Sequence, residues 1–252
     1  MDRSAYLSRI GLERLDLKVD ESTLRMLQHR HLLAVPFENL DIHWNKRIIL
    51  DTGKFYTKIV HNRRGGFCYE LNGLFNELLR EIGFNTRLIS ARVFDGSVFT
   101  PEYDHAAIVV TIGENEFLTD VGFGAFTTEP LRLVPGIKQT DAAGVFRIRR
   151  DASGFFIVSK REDDGWLDEY MFQPIARELS EFTERCDFQQ VSAESHFKKG
   201  KLISLLLDGG RKTLTDKSFI VTRNGEKSET PISSDDGFVA ALKREFGIAP
   251  GN

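Results

Sequence analysis

Arg64 to Phe75 reads RGGFCYELNGLF, a glycine pair, a thiol and then a run with helical spacing. Two glycines in succession remove two side chains and widen the allowed φ range. The chain can turn sharply there and let another group approach its backbone. From Leu71 the apolar residues fall at Leu71, Leu74, Phe75, Leu78, Leu79 and Ile82, the i, i+3, i+4 pattern of an amphipathic helix, and Gly83 is its stop. Cys68 therefore sits at or just before a helix N-terminus, where unpaired N–H groups and the positive dipole end favour a thiolate. The expectation is a nucleophile with a lowered pKa.

Upstream, SAYLSRIG (4–11) and DESTLRMLQHRHLLAV (20–35) read as helices, the second with Asp20 as N-cap and Pro36 as its limit. From Phe84 the period changes. TRLISARVF (86–94), HAAIVVTI (105–112) and NEFLTDVGF (115–123) are short, β-branched or alternating, and so are VFRIRRD (145–151), GFFIVSKRE (154–162) and DEYMFQP (168–174). The turn signals between them predict antiparallel hairpins and a barrel. PIARELSEFTERC (174–186) returns to helix, residues 201–225 read as strands around a DGG turn, and a capped helix runs from Asp235 or Asp236 to Gly247. Helices, then antiparallel strands, then a mixed tail make an α+β layout.

The chain has 252 residues, 41% hydrophobic and 28% charged, with a formal net charge of −3. That composition supports a globular core, and with no run of five like charges it argues against nucleic acid as a partner. The N-terminus lacks an apolar signal region and no stretch approaches eighteen consecutive apolar residues, so a soluble cytoplasmic protein without a membrane partner is expected. Cys68 and Cys186 are then two reduced thiols. The 20 phenylalanines supply core, and also suit an apolar pocket for flat substrates.

A cysteine nucleophile needs a base, held in turn by a third group. His105 begins one strand and Asp120 ends the next, so the pair can meet across the hairpin joined by GEN. Cys68, His105 and Asp120 would form a triad. Each residue also has a plain reading: a small buried hydrophobe, a strand-edge histidine and a turn former. Residue spacing leaves the two readings level. His29 and His31 point to different helix faces and no CxxC or HExxH spacing exists, so no metal site is expected. DVGFG (120–124) lacks the setting of a dinucleotide site. Gly122 and Gly124 either bare N–H groups to an anion such as a pyrophosphate or simply turn the chain. Cys186 reads as structural and FKKGK (197–201) as a solvated face.

Four blocks, VPFENL (35–40), RGGFCYELNGLF (64–75), DHAAIVV (104–110) and LTDVGFG (118–124), closely resemble the arylamine N-acetyltransferases in type and order. The second half matches only diffusely, through VSAESHF (191–197), with Asp187 and Val191-Ser192 where the family often carries Asn and a Ser-Thr pair. The resemblance implies a helical domain over 1–83 carrying the nucleophile, a β-barrel domain over 84–188 carrying His and Asp, and an α/β lid over 189–252. Its catalytic core is of the cysteine-protease and transglutaminase type. It further implies ping-pong transfer of an acetyl group from acetyl-CoA, through Cys68, to an arylamine or hydrazine, with His105 as base and Asp120 as its orienter. Phe37, Val93 and Phe123 would line the amine pocket, and Arg64 with Glu38 would brace the cysteine loop. Two rival classes share these features: another cysteine acyltransferase, such as an amide synthase or a transglutaminase or peptidase relative, and a silent protein that only binds CoA or aromatic ligands.

Overall fold

The first two helices are opened by acidic caps. In the computed structural model, which describes residues 1–13 and 16–250, Asp2 accepts from the Ser4 and Ala5 N–H groups to open α1 (Arg3–Arg9). Asp20 accepts from Thr23 N–H at 2.8 Å to open α2 (Glu21–Ala34), which ends before Pro36. A two-residue strand β1 (Phe37–Glu38), a short α3 (Leu40–His43) and α4 (Thr52–Tyr56), extended by a wide turn over Thr57–His61, follow. Then comes α5 (Cys68–Ile82), closed by Gly83 at φ 112°. Cys68 is its first residue. The helix is amphipathic as expected toward its end, where Glu77, Arg80 and Glu81 face solvent opposite the buried leucines, but nearer its start the polar Glu70, Asn72 and Asn76 are buried too. Its first two turns are therefore covered on all sides, which places the start of α5 at the centre of the molecule.

The next eight strands form one antiparallel sheet: β2 (Asn85–Val93), β3 (His105–Ile112), β4 (Asn115–Thr119), β5 (Leu131–Arg132), β6 (Lys138–Asp141), β7 (Gly144–Arg150), β8 (Phe156–Glu162) and β9 (Gly165–Phe172). Their order is β5-β4-β3-β2-β9-β8-β7-β6. The two edges nearly meet, for the Gln139 side chain of β6 accepts from Arg132 N–H at 2.7 Å and donates to Arg132 C=O at 3.0 Å on β5. The barrel is closed there by an amide side chain in place of a ladder. Alternation sorts the sheet's apolar residues. Ile89, Ala91, Ala107 and Val109 fill the barrel, whereas Leu88, Ala106, Ile108 and Val110 pack on the layer containing α5.

The helix expected over 174–186 starts later. Arg177 N–H bonds the Leu88 carbonyl at 2.8 Å and Pro174 C=O accepts from Arg87, so this segment is held along β2. A tight turn at Leu179–Phe182 then leads into α6 (Thr183–Val191). Tertiary hydrogen bonds override local propensity here. The second sheet comprises β10 (Leu202–Leu207), β11 (Gly210–Thr215), β12 (Ser218–Arg223) and β13 (Glu226–Pro231), with β1 pairing β10 at the other end. Its apolar face lies under α7 (Asp235–Phe246), capped by Ser234 and stopped by Gly247. No described helix is long and apolar enough to cross a membrane. Residues 251–252, the end of the expected lid, lie outside the described residues.

Candidate active site

The glycine pair allows close packing of the cysteine loop on β1. A Cβ at Gly65 would stand 2.1 Å from the Pro36 carbonyl oxygen, and one at Gly66 would stand 2.9 Å from Glu70 Cβ. With nothing in the way, Gly66 N–H bonds Pro36 C=O and Gly66 C=O accepts from Glu38 N–H at 2.8 Å. Arg64 then turns inward, 2% exposed, with Nη2 at 2.6 Å from Glu38 and 2.9 Å from Asp41. Lys58 joins the same cluster, 2.8 Å from Asp41 and 2.9 Å from Glu70. Burial alone would pull the Lys58 ammonium down, but Glu38, Glu70 and Asp41 outweigh it and hold it above its ordinary value. Burial pushes the Glu70 carboxyl up, against the pull of Lys58. The same carboxylate accepts from Phe67 N–H at 3.0 Å, so the ion cluster also caps the helix that starts with Cys68.

Cys68 is 3% exposed, and burial pushes its thiol well above the ordinary value, against a backbone hydrogen bond with Ala106. This reverses the expected downward shift, because loss of solvation outweighs the helix start. His105 opens β3, and its Nε2 lies 2.7 Å from Asp120 Oδ2. The ladder pairs Ile108 with Thr119, so continuing it sets Asp120 beside Ala107, and His105 reaches it diagonally on the same face. Asp120 is fully engaged. Oδ1 accepts from Asn72 Nδ2 and from Gly122 N–H, both at 2.8 Å, while Oδ2 takes His105 and the Tyr170 hydroxyl at 3.2 Å. Burial and the adjacent Asp120 push the Tyr170 phenol up, keeping it a donor.

Asn72 and Tyr170 escaped the sequence reading. Asn72 follows Cys68 by four residues and so shares its helix face, a signal the apolar pattern obscured. It also donates to Ala106 C=O at 2.6 Å and accepts from Val121 N–H at 3.0 Å, joining α5, β3 and the loop after β4. Tyr170 belongs to β9, and no local pattern links it to the hairpin of β3 and β4.

Cys68, His105, Phe37, Val93, Phe123, Gly122 and Gly124 line one cavity of about 540 Å³ between the barrel and the second sheet. Phe123 meets His105 edge to face at 5.0 Å between ring centroids. A Cβ at Gly122 would fall 2.9 Å from Cys68 Cα, so this glycine lets the loop press on α5. Gly124 has φ 91°, and its carbonyl accepts from Arg211 at 2.7 Å. FKKGK is not a solvated face throughout. Phe197 turns into the cavity, with its ring 5.0 Å from that of Phe67, and Lys201 pairs with Asp216 and Asp235. Asp187 pairs with Arg47 at 2.8 Å.

Other candidates are structural. Burial pushes Cys186 up to about 12, and its sulfur accepts from Gln190. Burial pulls His31 down to about 3, with Nδ1 at 3.0 Å from Tyr6 Oη. Among the described residues no group of three His, Cys, Asp or Glu is arranged to hold a metal ion.

Known proteins share this arrangement of chain. A family model described as N-acetyltransferase matches residues 20–250. The arylamine N-acetyltransferase / N-hydroxyarylamine O-acetyltransferase of Salmonella typhimurium is 34% identical over 248 residues, covering 97% of this chain and 88% of that one. A solved arylamine N-acetyltransferase from Salmonella typhimurium superposes with a TM-score of 0.92 at 31% identity, covering 99% of this chain and 92% of its own. The Mycobacterium marinum arylamine N-acetyltransferase solved in complex with CoA superposes with a TM-score of 0.89 at 29% identity, over 98% of this chain and 93% of its own.

Proposed function

The chain belongs to the arylamine N-acetyltransferase family, and from that premise we propose that it carries an acetyl group from acetyl-CoA to an arylamine, arylhydrazine or related amine through Cys68. The observation that carries the proposal is the buried His105–Asp120 pair, 2.7 Å apart, whose His105 lines the same cavity as Cys68. In the first half-reaction the Cys68 sulfur attacks the thioester carbonyl, its proton passes to His105, and the bond from carbonyl carbon to CoA sulfur breaks. The departing CoA thiolate takes the proton back from His105. In the second, the amine nitrogen attacks acetyl-Cys68 and gives its proton to His105, and the Cys68 thiolate leaves and is reprotonated.

The raised thiol supports handing the proton to a neighbour rather than losing it to water. Transfer to His105 creates an ion pair of no net charge, and Asp120 steadies the imidazolium. Asn72 and Gly122 fix one oxygen of Asp120 and leave the other for His105 and the Tyr170 hydroxyl, which holds the ring in one orientation. Cys68 N–H, at the start of α5, is a natural donor to the oxyanion. Exchange between thioesters is nearly isoenergetic, so the first step needs mainly positioning. The amide product is more stable than the thioester, which draws the second step forward. Phe37, Val93 and Phe123 would hold the flat ring and exclude water from acetyl-Cys68. A cytoplasmic location is part of the same reading, in line with two free, buried cysteines.

Incubation with acetyl-CoA and isotopically labelled CoA, with no amine present, tests the two-step route. Label should enter the acetyl-CoA pool, because the first half-reaction runs by itself. No exchange in an enzyme that acetylates amines would show direct transfer and remove acetyl-Cys68 from the pathway. A peptidase or transglutaminase would ignore acetyl-CoA altogether.

A further inference from the structure

We infer that Arg211 is a specificity-determining residue that binds a carboxylate on the ring of the acceptor amine. The inference rests on the reading that the cavity receives that amine. Arg211 lies on β11, where alternation sends Leu214 under α7 and leaves Arg211 and Thr213 among the residues that line the cavity, with Ser204 of β10 opposite Thr213. Its guanidinium donates from Nη1 to Ser204 Oγ at 3.1 Å and from Nη2 to Gly124 C=O at 2.7 Å. Both acceptors are neutral. Burial pulls it down to about 10, and no carboxylate among the described residues opposes that pull.

The contrast with other sheltered arginines is informative. Arg64 faces Glu38 and Asp41, Arg185 faces Asp104, and Arg177 faces Glu102. Arg9, also pulled down to about 10 by burial, donates to the four backbone carbonyls of Ala34, Ile59, Arg63 and Arg64. Arg211 commits only two of its five N–H donors to the bonds with Ser204 and Gly124. The acidic residues of the cavity wall are engaged elsewhere. Asp104 takes Arg185 and Gln189, and Asp95 accepts from Ser97 and Val98 N–H within its own turn. A cation in a mostly apolar cavity, with donors to spare and no counter-charge among the described residues, is a site for an incoming anion.

Position selects the anion. Arg211 holds Gly124, the neighbour of Phe123, whose ring edges onto His105. An amine reacting at Cys68 with its ring along Phe123 would point a far-side substituent toward the guanidinium. The phosphates of CoA lie at the far end of the long pantetheine arm from its sulfur, whereas a ring carboxylate lies one ring's width from the amine nitrogen.

The experiment compares kcat/KM for 4-aminobenzoate and its neutral isostere 4-aminobenzamide in the parent, Arg211→Gln and Arg211→Lys. The parent should prefer the carboxylate. In Arg211→Gln the ratio of the two should fall at least tenfold, mainly through KM for 4-aminobenzoate, and Arg211→Lys should restore part of it. Both amines falling in equal proportion would reduce Arg211 to a strap for the Gly124 loop and overturn the inference. So would slower single-turnover acetylation of Cys68 in Arg211→Gln, which would assign the guanidinium to CoA. A parent that prefers the amide overturns it without any variant. Failure of the parent to form acetyl-Cys68 at all would instead sink the underlying reading of the function.

Discussion

Asp120 accepts four hydrogen bonds, from His105, Tyr170, Asn72 and Gly122, and this saturation ties its position to four parts of the chain. Asp120→Asn should therefore leave the fold in place and remove the chemistry. An amide nitrogen facing His105 favours the wrong tautomer and cannot steady an imidazolium, and the equivalent change in a serine triad costs about 10⁴ in kcat. A folded variant that keeps more than about a tenth of the parent rate, a loss under about 1.4 kcal/mol, would show that Asp120 is not the orienter. The three residues proposed as a triad could be picked out in sequence because they sit at element ends: Cys68 after a glycine pair, His105 at a strand start and Asp120 after a strand. Asn72 and Tyr170 sit inside elements, where polar residues carry no punctuation.

At the scale of elements, α5 is anchored at its start by the cluster of Arg64, Lys58, Glu38, Asp41 and Glu70. Arg64→Gln leaves buried carboxylates short of a counter-charge and should cost about 3–5 kcal/mol in urea unfolding. Unchanged stability with lost activity would move Arg64 from bracing to binding. Between α1, α2 and α5, His31 packs edge-on against Phe75 and bonds Tyr6. Its folded value, about 3, lies below the ordinary 6.5. Above pH 6.5 neither state is protonated and the shift has no effect. As pH falls below 6.5 the unfolded chain takes up a proton that the folded chain refuses, and stability drops by up to about 1.4 kcal/mol per pH unit toward pH 3. His31→Gln should lose stability less steeply than the parent from about pH 6 to pH 4.5 in urea titrations; parallel slopes would contradict this. The periodicity of α5, its stop at Gly83 and the β3–β4 hairpin follow from local pattern. The late start of α6 does not, because it is set by Arg177 bonding to Leu88 far along the chain.

Over the whole molecule, the cavity exists because distant segments converge. Phe37 pairs with Ser204 in the second sheet, and Asn39 bonds Leu202, 163 residues away. No local signal announces that pairing, so Phe197, Ser204 and Arg211 came to the cavity unforeseen, while Phe37, Val93 and Phe123 were legible through the family resemblance. The central claim is that this convergence makes Cys68 the one acyl carrier. Intact-protein mass spectrometry after acetyl-CoA alone tests it most directly. One acetyl group should add, map to Cys68 and be absent from Cys68→Ser. Acetylation that persists in that variant, or that maps to Cys186, would contradict the account.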